Sequence, residues 1–394
     1  MSDPTERYAF GANWQRYLKS SFSEERLEIA RRHLLGFLKL DRLDGLTFLD
    51  IGSGSGIHSL AAWRSGAKRV LSFDYDPQSV AATRSLHALA GAPANWEIRR
   101  GSVLDETFMA GLGVFDVVYS WGVLHHTGDQ WRAFANAAGR LAAGGRCYLA
   151  LYSSDVHIDP SPEEWLAVKR RYNAAGPLVR FAMECRHVWA TECRRSIANL
   201  FRLPAIARAY RQSRGMALWA DARDWLGGWP MEFSSVAEVM ARAEGLGLGP
   251  VGIAFGEWNT EFLLMSPAAA GPAGLAVLAP TQWKPPPALA GLADLPDRAF
   301  FIFGTARGAE LLVERLRRRG GPELAGFIDI ERVADFQGRP VLSPEDFTAR
   351  WPADTPVVLS NRYVLQNSAR LRSGGHQAIW NGHPLVVSLN FRGP

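Results

Sequence analysis

The residues most suited to chemistry begin at Leu49–His58, LDIGSGSGIH, where Asp50 precedes Gly52, Ser53, Gly54 and Gly56. Glycines at a strand-to-helix turn let backbone N–H groups approach a ligand closely, because no Cβ intervenes. A carboxylate just before them repels a pyrophosphate and suits a cation. A second carboxylate, Asp74, follows twenty residues beyond Gly54, with Tyr75 beside it. Asp74 can accept hydrogen bonds from a ribose diol, and Tyr75 can pack on a purine. Further along lie Gly101-Ser102-Val103, able to read a base edge, and FDVVYSWGVLHHTGD, with Ser120, Trp121, Gly122, His125 and His126. Imidazole titrates near neutrality, so either histidine could take a proton from an acceptor hydroxyl. Each reads equally well as a structural histidine bonded to the backbone.

The elements that must position these groups alternate. Strands are expected at 46–51, 69–74, 96–100, 114–120 and 146–152, and helices near 56–65, 77–90, 104–111 and 129–142. That alternation predicts a parallel sheet covered by helices, with ligands at the carboxyl ends of the strands. Asp50, Asp74, Ser102 and Ser120–His126 then share one rim. Residues 1–45 read as a helical lid, or equally as an arm whose aromatics pack on the domain's side, and 153–250 as a helical insertion over the rim (helices at 163–173, 177–189, 192–202 and 204–213). Strands at 251–256 and 259–265 return as a hairpin. Residues 266–296 are a Pro/Ala-rich linker, and 297–394 form a second, small α/β unit with a reduced glycine loop at Gly304 and Gly308.

S-adenosylmethionine, with its ammonium and sulfonium, is the cofactor that suits Asp50 and the glycines. Residues 46–152 resemble the class I S-adenosylmethionine-dependent methyltransferases. The likeness extends to a bacterial subgroup through Phe10–Trp14 (FGxNW), Val118–Gly128, Arg214–Glu232 and Asn259–Phe262. The resemblance implies an α/β, Rossmann-like seven-stranded domain with its helical insertion at 153–250. It places the methionine end at Asp50 and the glycines, the ribose at Asp74 and the sulfonium near Ser120–Gly122; Asn13 and Trp14 join the cofactor set. Ser102 departs from an Asp common in relatives. Residues 299–391, through FIFGTARG, GFIDI and GRPVLSPEDF, are similar to the sugar-nucleotide-binding domain of bacterial sugar acyltransferases. That implies a second Rossmann-like fold with nucleotide contacts at Gly304, Gly308 and Asp329, and a phosphate contact at Arg307.

These readings predict methyl transfer to the O or N of a small-molecule acceptor, an anionic sugar, nucleotide sugar or glycan intermediate. A lipid or quinone acceptor is the alternative, and a non-catalytic cofactor-binding scaffold the third. His126, His125 and Glu261 are the catalytic candidates. Tyr152, Arg214, Asp224, Trp225, Trp229, Glu232 and Asn259 are the acceptor-binding candidates. The carboxylates could instead cap helices, and the aromatics could fill core.

Composition narrows the field. The chain has 394 residues, 47% hydrophobic and 21% charged, with a net charge of +5. This suits two globular domains. No apolar run reaches the ~18 residues of a membrane span, and MSDPTERYAFGANW lacks signal-peptide regions, so a cytoplasmic location is expected. Cys147, Cys185 and Cys193 have neither disulfide-framework nor zinc spacing; no metal is expected. Trp165–Arg214 holds eleven basic residues and two acidic ones, an excess that could attract an anionic partner. No nucleic-acid partner is expected, and room is left for a homo-oligomer. A dehydrogenase is disfavoured because G-x-G-x-x-G is missing.

Overall fold

The computed structural model describes residues 11, 14, 15, 18 and 22–392, except 157–159, 194–196, 215–216, 257, 271–273, 279–284, 320 and 331–333. The expected cofactor contact Asn13 lies outside the described residues, as does the side chain of Arg214.

Helix α1 (Glu24–Leu38) starts at Ser23, whose hydroxyl accepts from the Arg26 N–H, and buries Leu27, Leu34, Leu35 and Leu38. Four βα units and a fifth strand follow: β1 (Thr47–Ile51), α2 (Ile57–Arg64), β2 (Arg69–Asp74), α3 (Pro77–Leu89), β3 (Trp96–Arg100), α4 (Glu106–Ala110), β4 (Phe115–Trp121), α5 (Gln130–Ala138) and β5 (Leu141–Tyr152). Asp76, Asp105 and Asp129 cap α3, α4 and α5 through their carboxylates, satisfying N–H groups a helix leaves unpaired. The insertion holds α6 (Pro162–Ala174), α7 (Pro177–Thr191), α8 (Ile197–Phe201), α9 (Leu203–Arg214) and α10 (Leu218–Gly227). Helix α11 (Val236–Gly245) leads into β6 (Gly249–Phe255) and β7 (Asn259–Met265).

The seven strands are ordered β3-β2-β1-β4-β5-β7-β6. All neighbours run parallel except β7, which is antiparallel to both β5 and β6. This is the seven-stranded, Rossmann-like α/β sheet expected. β1 lies between β2 and β4, so Asp50, opposite Ser72 and Tyr119, is the next-to-last residue of a strand buried from Phe48 onward. Two boundaries differ from expectation. Gly144-Gly145 falls inside β5: Leu141 pairs with Phe115 and Arg146 with Val117, so the glycines lie in a bulge that widens the turn into the strand. The helix expected over 192–202 is α8 alone, because the Cys193 N–H donates to Val188 O and closes α7 first.

A second sheet, ordered β10-β11-β9-β8-β12-β13, comprises β8 (Phe300–Phe303), β9 (Leu324–Ile328), β10 (Asp335–Phe336), β11 (Arg339–Leu342), β12 (Val357–Leu359) and β13 (Ile379–Asn381). Its helices are α12 (Arg307–Arg319), α13 (Pro344–Arg350), α14 (Val364–Ser373) and α15 (His383–Arg392). The two units are not beads on a linker. Ile253, Phe255 and Phe262 share one apolar cluster with Phe301, Leu359, Val364 and Leu365. The Phe255 N–H donates to Arg362 O (2.8 Å), Gln366 Nε2 to Ile253 O (2.7 Å) and His383 Nε2 to Gly256 O (2.9 Å). Residues after β12 and β13 thus meet the β6–β7 turn. Helix α14 packs along β6, the edge strand of the first sheet, covering an edge that would otherwise be open.

Candidate active site

A cavity of about 900 Å³ opens on the carboxyl rim of the first sheet. One half is lined by Trp14, Asp50, Gly52, Ser53, Gly54, Asp74, Tyr75, Ser102, Val103, Trp121 and Gly122. Gly52, Gly54 and Gly56 have φ of 76°, 54° and 82°, a region that favours glycine. Gly54 also lies under the Trp14 indole, 3.1 Å from where a Cβ would stand. Asp74 organises this end: Oδ2 accepts from the Gly54 N–H (3.0 Å) and Oδ1 from the Asp76 N–H (2.9 Å). Asp50 is 2% exposed and accepts from the Ser59 hydroxyl in a very short contact. Burial pushes the Asp50 carboxyl up to about 7, with the Ser59 bond opposing and Asp74 adding to it, and raises Asp74 to about 6. Two carboxyls held above their ordinary range in one cavity wall are suited to a ligand that brings positive charge. S-adenosylmethionine fits this donor set.

The other half is aromatic and polar: His126, Tyr152, Trp225, Trp229, Trp258, Asn259, Glu261, Asp221, Asp224 and Arg362 line it. Trp225 lies 4.3 Å from Trp258 and 5.5 Å, edge-on, from Tyr152. Beneath Trp225 is Lys169, 1% exposed, its ammonium 4.5 Å from the ring centre and donating to Trp225 O. Burial lowers the Lys169 ammonium to about 7, against the pull of Asp224.

His126 lies on the turn after β4, in the cavity wall. Its Nδ1 is 2.7 Å from Pro230 O. A carbonyl only accepts, so Nδ1 carries the proton and Nε2 is the basic nitrogen. Burial lowers this imidazole to about 4, opposed by the Pro230 bond, so the ring is neutral at physiological pH.

Glu261 sits where β7 passes β5, 1% exposed. Its Oε1 accepts from Trp121 Nε1 (2.8 Å) and Tyr148 Oη (2.8 Å), with His33 Nε2 at 3.2 Å; Oε2 accepts from Arg362 in a very short contact. Burial alone would raise this carboxyl, but His33, Arg362 and Trp121 together hold it at about 2. It is a permanent carboxylate joining α1, β4, β5 and the second unit.

Several expected residues lie behind the wall. His125 is fully buried and its Nδ1 accepts from the Tyr152 N–H (3.3 Å). Ser120 donates to Ile51 O (3.1 Å). Gly56 packs on Thr83, and Glu232 accepts from the Gln130 N–H (3.0 Å) at the start of α5. Conversely, sequence reading missed His33, His58, His187, Tyr210, Trp258 and Arg362 in the wall. Trp258 adjoins the β6–β7 turn and could have been suspected; Arg362, a hundred residues from Glu261, carried no signal.

In the second unit Asp329 Oδ2 accepts from the Thr305 N–H (2.8 Å) and hydroxyl (2.6 Å). A Cβ on Gly308 would stand 2.4 Å from Ser360 O, and one on Gly304 2.9 Å from Ser360 Oγ. Arg307 pairs with Glu310 (3.0 Å).

Residues 49–149 match the family described as "Methyltransferase domain". A ribosomal protein L11 methyltransferase of Vibrio cholerae is 30% identical over 142 residues, 34% of this chain and 48% of that protein. A ubiquinone biosynthesis O-methyltransferase of Paramagnetospirillum magneticum is 34% identical over 130 residues, 32% and 49% respectively. The chain thus spans about half the length of the curated relatives it matches. A magnesium protoporphyrin IX methyltransferase from Synechocystis, solved with bound S-adenosylhomocysteine, aligns over 64% of this chain and 92% of its own at 13% identity, TM-score 0.38. No described helix is long and apolar enough to cross a membrane. Taken with the seven-stranded sheet, the match places a methyltransferase domain, with S-adenosylmethionine as its cofactor, over residues 49–149.

Proposed function

We propose that the protein transfers the methyl group of S-adenosylmethionine to a hydroxyl or amine of a sugar-class acceptor, with His126 as the general base. The observation that carries this reading is the His126–Pro230 bond, which fixes the tautomer of an imidazole that burial keeps neutral, leaving Nε2 basic, in the wall of a cavity with a cofactor half and an aromatic half. The bound cofactor supplies an activated methyl group, leaving the protein to position the acceptor and manage its proton. Trp225, Trp229 and Trp258 offer faces for the apolar side of a sugar ring. Asp221, Asp224 and Asn259 offer oxygens that accept from its hydroxyls. Carboxylates in that wall weigh against the anionic acceptor expected from sequence; the portion seated there is neutral or cationic. Glu261 we assign to positioning, because a carboxylate held at about 2 with four donors does not take up a proton near neutrality. Glu232 and His125 we likewise read as supports of the His126 turn.

For residues 297–394 we propose a bracing role. The Gly304–Gly308 loop that would cradle a nucleotide is packed on Ser360, and the segment after β12 that holds Ser360 also delivers Arg362 to Glu261. A lipid or quinone acceptor is the second reading, favoured by the aromatic wall and by the ubiquinone O-methyltransferase likeness.

The test is methyl-labelled S-adenosylmethionine incubated with the protein and with aqueous and lipid fractions of a bacterial extract. Label in a water-soluble sugar, lost in His126→Ala while S-adenosylhomocysteine affinity is kept, supports the reading. Label in the lipid fraction alone supports the second, and full activity of His126→Ala removes the base.

A further inference from the structure

The helical insertion carries a surface the methyl-transfer reading does not use. Leu178 and Val179 at the start of α7 are 86% and 45% exposed, and Phe181 is 57% exposed; Ile197 and Phe201 of α8 are 69% and 85% exposed. These large apolar side chains fall within 24 residues of chain, where isolated exposed apolar residues would be unremarkable but a concentration of them marks a contact surface. Exposed Arg180 and Arg186 fall between them in sequence, and exposed Arg171, Arg202 and Arg208 flank them. The stretch 165–214 contains only two acidic residues, and neither offsets this charge at the surface. Glu184 is buried, accepting from Tyr172 Oη (2.7 Å) and Arg223 Nε (3.0 Å), and Glu192 is half-buried in the cavity wall.

We propose that this face of the insertion docks on an anionic lipid surface. Arginines interleaved with leucine, isoleucine and phenylalanine, with carboxylates withdrawn from the surface, make the pattern of a helix that lies in a membrane interface: guanidinium groups meet headgroup phosphates while apolar side chains enter the acyl boundary. A second copy of the chain is the poorer occupant, since a two-fold contact would set arginine-rich faces against each other. Nucleic acid is poorer too, because a phosphate backbone gives Leu178 and Phe201 nothing apolar to enter. The opposite sides of the same helices build the outer wall of the cavity, through His187 and Thr191 of α7 and Tyr210 of α9. Docking therefore sets the acceptor half of the cavity close to the lipid surface. The proposal stands independently of which acceptor is methylated.

The experiment is co-sedimentation of the full chain with vesicles of phosphatidylcholine alone and with about 30% phosphatidylglycerol, at low salt and at about 0.5 M salt. The expected result is binding to the anionic vesicles, little to the neutral ones, and weakening by salt. Arg186→Gln, Arg202→Gln and Arg208→Gln together should lower partitioning by roughly fivefold per arginine. Leu178→Ser, Ile197→Ser and Phe201→Ser together should reduce it to the neutral-vesicle level. All six side chains are exposed, and unchanged calorimetric affinity for S-adenosylhomocysteine will show that the variants are folded. Absence of binding to anionic vesicles, equal binding to neutral ones, or a wild-type dimer that the serine variant converts to monomer by light scattering overturns the proposal.

Discussion

The two ends of the cavity treat buried carboxylates in opposite ways. At the cofactor end, Asp50 and Asp74 are raised to about 7 and 6, with hydrogen bonds from a hydroxyl and from backbone N–H groups. At the far end, Glu261 is as deeply buried and held at about 2, because an arginine, a histidine, an indole and a phenol converge on it. Asp50 and Glu261 are almost equally buried, so burial by itself does not set the direction of the shift. The difference is the source of the compensating charge. Among the described residues the protein supplies it to Glu261 and not to Asp50 and Asp74, where we propose that a cationic ligand brings it.

The comparison can be broken by substitution. The largest effect expected is on turnover: His126→Ala should slow methyl transfer by roughly 10²–10⁴-fold, with calorimetric cofactor affinity unchanged. Because its imidazole lies at about 4, the acid limb of the wild-type kcat/KM profile should fall near pH 4 rather than near the ordinary histidine value. A limb near 6.5 would take the role from His126.

Next in size is Glu261→Ala, which leaves Arg362 and Tyr148 facing each other without their anion. We expect a loss of about 3–5 kcal/mol in denaturant unfolding. Its folded carboxyl lies below its unfolded value, so its stabilising contribution is present above about pH 4.5 and is lost as pH falls toward 2. Asp74→Ala should do the reverse: cofactor affinity falls roughly 100-fold, while thermal stability of the ligand-free protein changes little. Equal stability losses in the two variants would erase the distinction.

The smallest effect is on pH linkage. Asp50 and Asp74 have folded values above their unfolded ones, so the ligand-free protein loses stability as pH rises from about 4 through 7. A cationic cofactor relieves that loss, and binding should release protons. The thermal shift given by S-adenosylmethionine should therefore be larger at pH 8 than at pH 5.5, by a few degrees. A shift independent of pH would mean that these carboxyls do not meet the positive charge.

Sequence and structure agree where the signal is local. The strand–glycine–helix pattern around Asp50, the capping aspartates and the alternation that builds the sheet all act over a few residues. The rim bearing Asp74, Ser102 and Trp121 was therefore readable. The roles of the acidic residues were not. Glu261, expected to act on protons, accepts from Trp121, Tyr148 and Arg362, and Glu232 accepts from the Gln130 N–H at the start of α5. A carboxylate's chemistry depends on neighbours that sequence order does not specify. The second unit makes the same point: Gly304 and Gly308 read as a nucleotide loop, yet Ser360, from another strand end, fills the space beside them.

By itself, then, the sequence determined the order of strands and helices, the glycine turn and the carboxylates at the strand ends, since dihedral preference and hydrophobic period are properties of short stretches. Only the tertiary structure decided that His33, Trp121, Tyr148 and Arg362 share one buried anion, that His126 rather than His125 reaches the cavity, and that the second unit packs on the β6–β7 end of the first. Those outcomes depend on which side chains from distant parts of the chain are packed together, and packing is settled only once the whole core has formed.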